Sequence, residues 1–123
     1  MASILIIDDE AVLRKGVVDV ILSHWPDLTI YEAADGAMGI ELAILQKPDL
    51  IITDGNLPLL TGFHLVLLLR EMKTVAHIPL IAMTAAPENS LAVRLMIETC
   101  DAFISKPFDV SRFLSVVTPF LTE

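Results

Sequence analysis

Basic residues, cysteines and long apolar runs are scarce in this sequence, and each scarcity excludes a class of protein. Lys and Arg together number 8 against 16 Asp and Glu, which gives a formal net charge of -8. An acidic surface without clustered cations does not replace the counterions of nucleic acid or bind anionic lipid. No apolar run approaches the ~20 residues that span a bilayer. We therefore expect neither direct nucleic-acid binding nor a membrane segment.

Cysteine and disorder-promoting composition are also scarce. Cys100 is the single cysteine, so an internal disulfide is excluded and a cytoplasmic location is expected. The first residues lack the basic stretch of a signal peptide. Hydrophobic residues make up 54% of the 123 residues, enough to fill one core. We therefore expect residues 1–123 to form a single domain.

Short apolar runs alternate five times with longer segments of helical periodicity. This alternation predicts an α/β domain with a parallel sheet and helices on both faces. Right-handed crossovers favour a doubly wound sheet of five strands in the order 2-1-3-4-5, the flavodoxin-like arrangement. The predicted strands are residues 4–7, 29–33, 50–53, 79–83 and 102–104, and the predicted helices are residues 11–23, 36–46, 63–74, 87–99 and 110 onward.

Polar side chains follow four of the predicted strands. In a doubly wound sheet the carboxyl ends of the strands meet at one crevice, so these side chains should converge. Three neighbouring carboxylates are costly unless cations lie among them, and one lysine offsets a single charge. A hard divalent cation such as Mg²⁺ would offset the rest and leave positions for phosphate oxygens. The residues are Asp8, Asp9, Asp54, Thr84 and Lys106.

Each of these residues taken singly has an ordinary structural explanation. Aspartates after strands commonly cap helices, lysines are commonly solvated, and a threonine commonly ends a strand. The five together, at the ends of strands of one sheet, favour a site for phosphoryl chemistry instead.

Over residues 3–120 the sequence resembles the receiver domains of bacterial two-component response regulators, and it is similar to the single-domain chemotaxis-type regulators. Each matching fragment is weak alone, whereas their order and spacing are specific. The fragments are Asp8-Asp9 after the first strand, Asp54-x-Asn56-x-Pro58 after the third, Thr84-Ala85 after the fourth and Lys106-Pro107 after the fifth.

The resemblance implies a role for each matched residue. Asp54 would accept a phosphoryl group, and Asp9, Asp54 and the main-chain carbonyl of Asn56 would bind Mg²⁺, with Mn²⁺ as an alternative. Asp8 would act on the metal mainly through a bound water. The remaining implied roles are phosphoryl contacts from Lys106, Thr84, Gly55 and Ala85, a conformational switch made of Thr84 and Phe103, and a cis peptide bond before Pro107.

The resemblance also implies partners. The phosphodonor would be a sensor histidine kinase or a histidine phosphotransfer protein, and an output domain or effector would read the result. The domain would not be an enzyme beyond Mg²⁺-dependent self-phosphorylation and slow autodephosphorylation.

The predicted fourth helix has apolar residues around most of its circumference, more than packing on one sheet face requires. We therefore expect Val93 and Ile97 to be exposed or covered by a partner. The surface of helix 4, strand 5 and helix 5 would bind an effector or form a homodimer.

Three other interpretations are compatible with the α/β pattern. A flavodoxin-like flavin binder needs a first loop that donates hydrogen bonds to phosphate, and Asp8-Asp9-Glu10 would repel it. A phosphatase with an aspartate nucleophile needs a second carboxylate where Asn56 stands. A receiver used only as a docking module, without phosphorylation, is the third interpretation, and the complete acidic set disfavours it.

Overall fold

A computed structural model describes residues 2–57, 62–85 and 90–121. Pro58 of the loop motif and Pro87, predicted to lie in the first turn of the fourth helix, are outside these residues. Five strands alternate with five helices in chain order: β1 Ser3–Ile7, α1 Ala11–His24, β2 Thr29–Ala33, α2 Gly36–Gln46, β3 Leu50–Asp54, α3 Gly62–Glu71, β4 Leu80–Thr84, α4 Leu91–Thr99, β5 Ala102–Ser105 and α5 Val110–Leu121.

The five strands form one parallel sheet in the order β2-β1-β3-β4-β5. The predicted fold class and strand order are therefore confirmed. Chain order reverses between β1 and β3, which are neighbours through the pairs Ile4–Leu50 and Ile7–Thr53. This is the point at which doubly wound sheets bind ligands, just beyond the carboxyl ends of the strands.

The core consists of two apolar layers, one on each face of the sheet. Successive strand residues point to opposite faces, so Ile4 and Ile6 pack with Phe113 of α5, and Leu5 and Ile7 pack against α2 and α3. Strands β3 and β4 are buried along their whole length. Burial on both faces explains the continuous apolar runs of the central strands.

The end of α3 and the start of α4 differ from the prediction by more than one residue. Helix α3 ends at Glu71 rather than at residue 74, because the chain turns through residues 73–77 to enter β4. Helix α4 begins at Leu91 rather than at residue 87, and the side-chain oxygen of Ser90 accepts a hydrogen bond from the Val93 N–H at 3.3 Å. A serine at this position satisfies one of the free N–H groups of the first turn.

In the part of the chain that the structure describes, no helix combines the length and apolar character that crossing a membrane requires.

Candidate functional site

Three carboxyl groups meet at the carboxyl edge of the sheet, as the sequence predicts. Oxygen atoms of Asp8, Asp9 and Asp54 lie within 4.8 Å of one another. Asp8 follows β1 and Asp54 ends β3, and these strands are adjacent, so the topology itself brings the two acids together. Asp8 and Asp54 are buried, whereas Asp9 is exposed to solvent. The site thus has a buried floor and one solvent-facing acid.

Asp8 is held in an unfavourable environment. Its side chain is fully buried, and burial raises the pKa of the carboxyl group above its ordinary value. The Glu10 N–H donates to Asp8 Oδ1 at 2.9 Å and opposes this shift, whereas the charge of Asp54 adds to it. Among the described residues Asp8 Oδ2 has no hydrogen-bond partner. A buried acceptor without a donor is costly, and it fits a site completed by a cation or a cation-bound water.

Asp54 has a partner at each of its side-chain oxygens. Asp54 Oδ1 accepts a hydrogen bond from the Asn56 N–H at 3.1 Å, and Asp54 Oδ2 lies 3.2 Å from Lys106 Nζ. Lys106 follows β5, and its main-chain N–H donates to the Thr84 carbonyl at 2.8 Å. This contact brings the side-chain amine toward the centre of the carboxyl edge of the sheet. The lysine is therefore directed at the carboxylate that the sequence predicts as the nucleophile.

Thr84 and Gly55 lie against each other beside Asp54. Thr84 is buried at the end of β4, and the Gly55 N–H donates to the carbonyl of Met83 at 2.7 Å. A Cβ built on Gly55 would lie 3.2 Å from both Thr84 Cβ and Met96 Cε. Glycine at this position therefore permits a close approach of the Asp54 loop to β4 and α4.

The other predicted residues lie at the rim. Ala85 and Asn56 are exposed beside the buried Thr84 and Asp54. The Lys106–Pro107 peptide bond is cis, so that prediction is confirmed. Phe103 is half-buried on β5, opposite Ala82 of β4. The structure thus brings together the predicted phosphoacceptor, lysine, threonine and acids, with Phe103 on the neighbouring strand.

The exposed face of α4 differs from the prediction. Val93 is only 2% exposed and Met96 only 3%, so both are buried. The expectation that Val93 is available to a partner is therefore wrong. Ile97 is 42% exposed and Leu91 is 71% exposed, so among the side chains of α4 that the structure describes these large apolar residues remain at the outer surface.

Arg14 is a site neighbour that the sequence patterns did not single out. Its Nη1 donates to the main-chain oxygen of Asp8 at 2.6 Å, and its Nε pairs with Glu32 Oε1 at 3.0 Å. The available signal was a basic residue in the second turn of the helix that follows the acidic pair. That signal is weak because most helix arginines are solvated.

The donor set fits a hard divalent cation. Three carboxylates against one lysine leave excess negative charge at the edge, and oxygen atoms are the ligands that Mg²⁺ prefers. Asp9 and Asp54 are placed to offer oxygen ligands, and Asp8 Oδ2 is free to accept from a metal-bound water. A divalent cation bound here would also leave coordination positions for phosphate oxygens.

The fold and this site define a doubly wound α/β protein with its ligand site at the β1–β3 switch point. Residues 4–118 match the family model described as the response regulator receiver domain. The chain belongs to that family. Receiver domains of two-component systems accept phosphoryl groups, bind Mg²⁺ at their acidic site, and are signalling domains that interact with histidine kinases and output domains.

Two curated relatives cover nearly all of this chain. The sensor histidine kinase TmoS of Ectopseudomonas mendocina is 33% identical over 119 residues, which are 97% of this chain and 12% of TmoS. The polar-differentiation response regulator DivK of Brucella anthropi is 31% identical over 124 residues, which cover 98% of this chain and 97% of DivK. The chain thus spans a small part of one relative and almost all of the other.

A solved structure has the same fold. The receiver domain of sensor histidine kinase PA1611 from Pseudomonas aeruginosa PAO1 gives a TM-score of 0.85 at 21% identity, covering 98% of this chain and 97% of that one. That structure has a magnesium ion coordinated in its active-site cleft. At this identity the likeness establishes the fold alone.

Proposed function

We propose that residues 1–123 form a single receiver domain in which Asp54 takes a phosphoryl group from the phosphohistidine of a histidine kinase or phosphotransfer protein. The observation that carries this proposal is the contact of 3.2 Å between Lys106 Nζ and Asp54 Oδ2 beside two further carboxylates. A lysine held against a buried aspartate among other acids is the arrangement that phosphoryl transfer to a carboxylate requires.

In the proposed reaction a carboxylate oxygen of Asp54 bonds to phosphorus. The phosphorus–nitrogen bond of the donor breaks, and its electron pair returns to the imidazole nitrogen. The Lys106 ammonium group offsets negative charge on the phosphoryl oxygens, and the Thr84 hydroxyl donates to one of them. Gly55 and Ala85 line the phosphoryl position. The product is an acyl phosphate, which water hydrolyses slowly to reset the domain.

The metal-binding residues in this proposal are Asp9, Asp54 and the carbonyl of Asn56, with Asp8 acting through water. Bound Mg²⁺, or Mn²⁺ in its place, supplies neutralisation of the phosphoryl oxygens. Asp8 Oδ2, which has no partner in the described part of the chain, supports this assignment, because a metal-bound water would satisfy it.

The proposed output is a change on the surface formed by α4, β5 and α5. Thr84 would move toward the phosphoryl group, and the half-buried Phe103 would turn inward behind it. Leu91 and Ile97 are the exposed apolar side chains of α4 that an effector or a second copy of the chain would cover. Amide NMR spectra recorded with and without phosphodonor would test this proposal. Unchanged amide chemical shifts in α4, β5 and α5 would contradict it.

Intact mass after incubation with Mg²⁺ and acetyl phosphate tests the phosphorylation itself. The wild-type chain should gain one phosphate, Asp54→Asn should gain none, and a chelator should prevent the gain. Asp35→Asn is the matched control, because Asp35 caps α2 through the Met38 N–H and asparagine caps equally well. A wild-type chain without an adduct would favour the docking-module function instead.

A further inference from the structure

The loop that carries the acidic pair is held by main-chain contacts. The Asp8 N–H donates to the Ala33 carbonyl of β2 at 3.0 Å, and the Arg14 N–H donates to the Glu10 carbonyl at 2.9 Å. The N-cap of α1 is Glu10, whose side chain makes no capping hydrogen bond. Helix α1 therefore starts without the side-chain cap that usually fixes such a loop.

Arg14 supplies the missing anchor. Its guanidinium group bridges the main-chain oxygen of Asp8, at 2.6 Å, and the carboxylate of Glu32 on β2, at 3.0 Å. The planar guanidinium makes both contacts with a fixed spacing, which lysine cannot reproduce. The side chain of Arg14 is 18% exposed and that of Glu32 is 45% exposed, so the contact with Asp8 is part-buried whereas the ion pair with Glu32 lies at the surface.

We propose that Arg14, held by Glu32, is a positioning residue that fixes the Asp8–Asp9 loop in the geometry that binds the divalent cation. The inference rests on the proposed function of the acidic site. Arg14 acts on the main chain of Asp8, and its charge is offset by Glu32. Removal of groups that contact and orient metal ligands without touching the metal commonly lowers metal affinity by about 10–100-fold.

The sign of the effect separates positioning from simple electrostatics. Removing a cation near an acidic site strengthens Mg²⁺ binding if charge alone matters. Removing an anchor of the loop weakens binding, because the ligands lose their fixed spacing. Arg14→Ala should therefore weaken Mg²⁺ binding about 10-fold. Lys15→Ala, which removes the same charge from the exposed neighbouring position, should leave binding unchanged or slightly stronger.

The experiment is an NMR titration of each variant with MgCl₂ alone, after a thermal melt has shown that the variant is folded. Weaker binding by Arg14→Ala but not by Lys15→Ala supports the inference. Equal or tighter binding by folded Arg14→Ala overturns it. Should Arg14→Ala not fold, Arg14→Lys keeps the charge and loses the double contact, and its unchanged affinity would equally overturn the inference.

Phosphorylation by acetyl phosphate gives a second readout. At saturating Mg²⁺ the Arg14→Ala rate should return to within about twofold of wild type, because Arg14 does not touch the phosphoryl group; a rate that stays low at saturation contradicts a metal-positioning role. The wild-type titration separates the two proposals. A wild-type chain that binds no Mg²⁺ overturns the proposed function, whereas wild-type binding with an unaffected Arg14→Ala overturns this inference alone.

Discussion

Aspartates at the carboxyl edge and at the amino edge of the sheet lie in opposite environments. At the carboxyl edge, Asp8 is fully buried, and Oδ2 has no partner among the described residues. At the amino edge, Asp101 Oδ2 accepts from Arg70 Nη2 at 2.7 Å and from the Leu80 N–H at 2.8 Å. The carboxyl edge carries more negative charge than Lys106 offsets, whereas the amino edge pairs Asp101 with Arg70.

Arg70 explains how the amino edge is satisfied. Besides its pair with Asp101, its Nη1 donates to the carbonyls of Ala76 and Ile78 at 2.8 and 2.9 Å. One side chain thereby joins the end of α3, the turn before β4 and the start of β5. The amino edge therefore pairs its charges within the protein, whereas the carboxyl edge retains a cost that the proposed cation would relieve.

The largest expected effect is at the amino edge. Arg70→Ala leaves carbonyl groups and Asp101 without their donor and should lower the free energy of unfolding by about 3 kcal/mol. Urea unfolding measures this. Arg94→Ala is the matched control, because Arg94 is exposed on α4 and its loss should change stability by less than about 0.5 kcal/mol. Equal effects of the two variants would contradict the inference that the contacts of Arg70 stabilise the amino edge.

Replacement of Asp8 and of Asp101 by asparagine should change the free energy of unfolding in opposite directions. Asp8→Asn removes a buried charge and places an amide donor among carboxylates, so at pH 7 without Mg²⁺ it should stabilise the protein by about 1 kcal/mol. Asp101→Asn weakens the pair with Arg70 and should destabilise it by about 1 kcal/mol. Urea unfolding without metal measures both. Two destabilised variants would contradict the comparison.

The stability difference between Asp8→Asn and the wild type should depend on pH, because burial raises the pKa of the Asp8 carboxyl group. A carboxyl group whose pKa is higher in the folded state destabilises that state once the unfolded chain ionises, as pH rises through the ordinary Asp range. Below that range the penalty is absent. The stability gained by Asp8→Asn should therefore shrink as pH falls from 7 toward 3. A gain independent of pH would indicate that burial of charge is not its cause.

Two glycines should respond oppositely to alanine. At Gly55 the new Cβ would crowd Thr84 and Met96 at 3.2 Å, and we expect a loss of about 1 kcal/mol. At Gly16, inside α1, a Cβ meets nothing within 4 Å, and we expect a gain of about 1 kcal/mol from helix propensity. Thermal melts of both variants test this. Equal shifts would show that the carboxyl edge is no tighter than a helix surface.

The smallest effect concerns Cys100 at the amino edge. Burial raises the pKa of its thiol from 9.0 to about 11. Between these values the unfolded thiol ionises and the folded one does not, so stability should fall as pH rises above 9. Urea unfolding at pH 8 and pH 10 should show a difference of at most about 1 kcal/mol that Cys100→Ala lacks. A slope shared by Cys100→Ala would assign it to another group.

Most of the fold was predictable because local patterns and topology agree. The strand over Thr29–Ala33 has the predicted bounds, and the strand order is as predicted. Asp35 caps α2 through the Met38 N–H, which is a common role of aspartate at a helix start. By contrast, the apolar pattern continues past Glu71 through Met72 and Val75, which gives no local sign that α3 ends. Val75 is instead buried in the turn that Arg70 organises.

The predicted residue set of the site was brought together, because parallel strands deliver the residues after them to one edge. The prediction for Val93 failed because it depends on helix packing. The apolar pattern of α4 does not say which part of its circumference faces inward, and packing buried Val93 while Ile97 stayed exposed.

The sequence by itself determined the sheet order and the group of residues at its carboxyl edge, since apolar periodicity and strand-end polarity are local properties. Only the tertiary structure decided that Asp8 Oδ2 lacks a partner among the described residues, that Arg14 contacts the main chain of Asp8 and that Arg70 joins the opposite edge. These contacts join residues distant in the chain, and their geometry depends on how helices and strands pack.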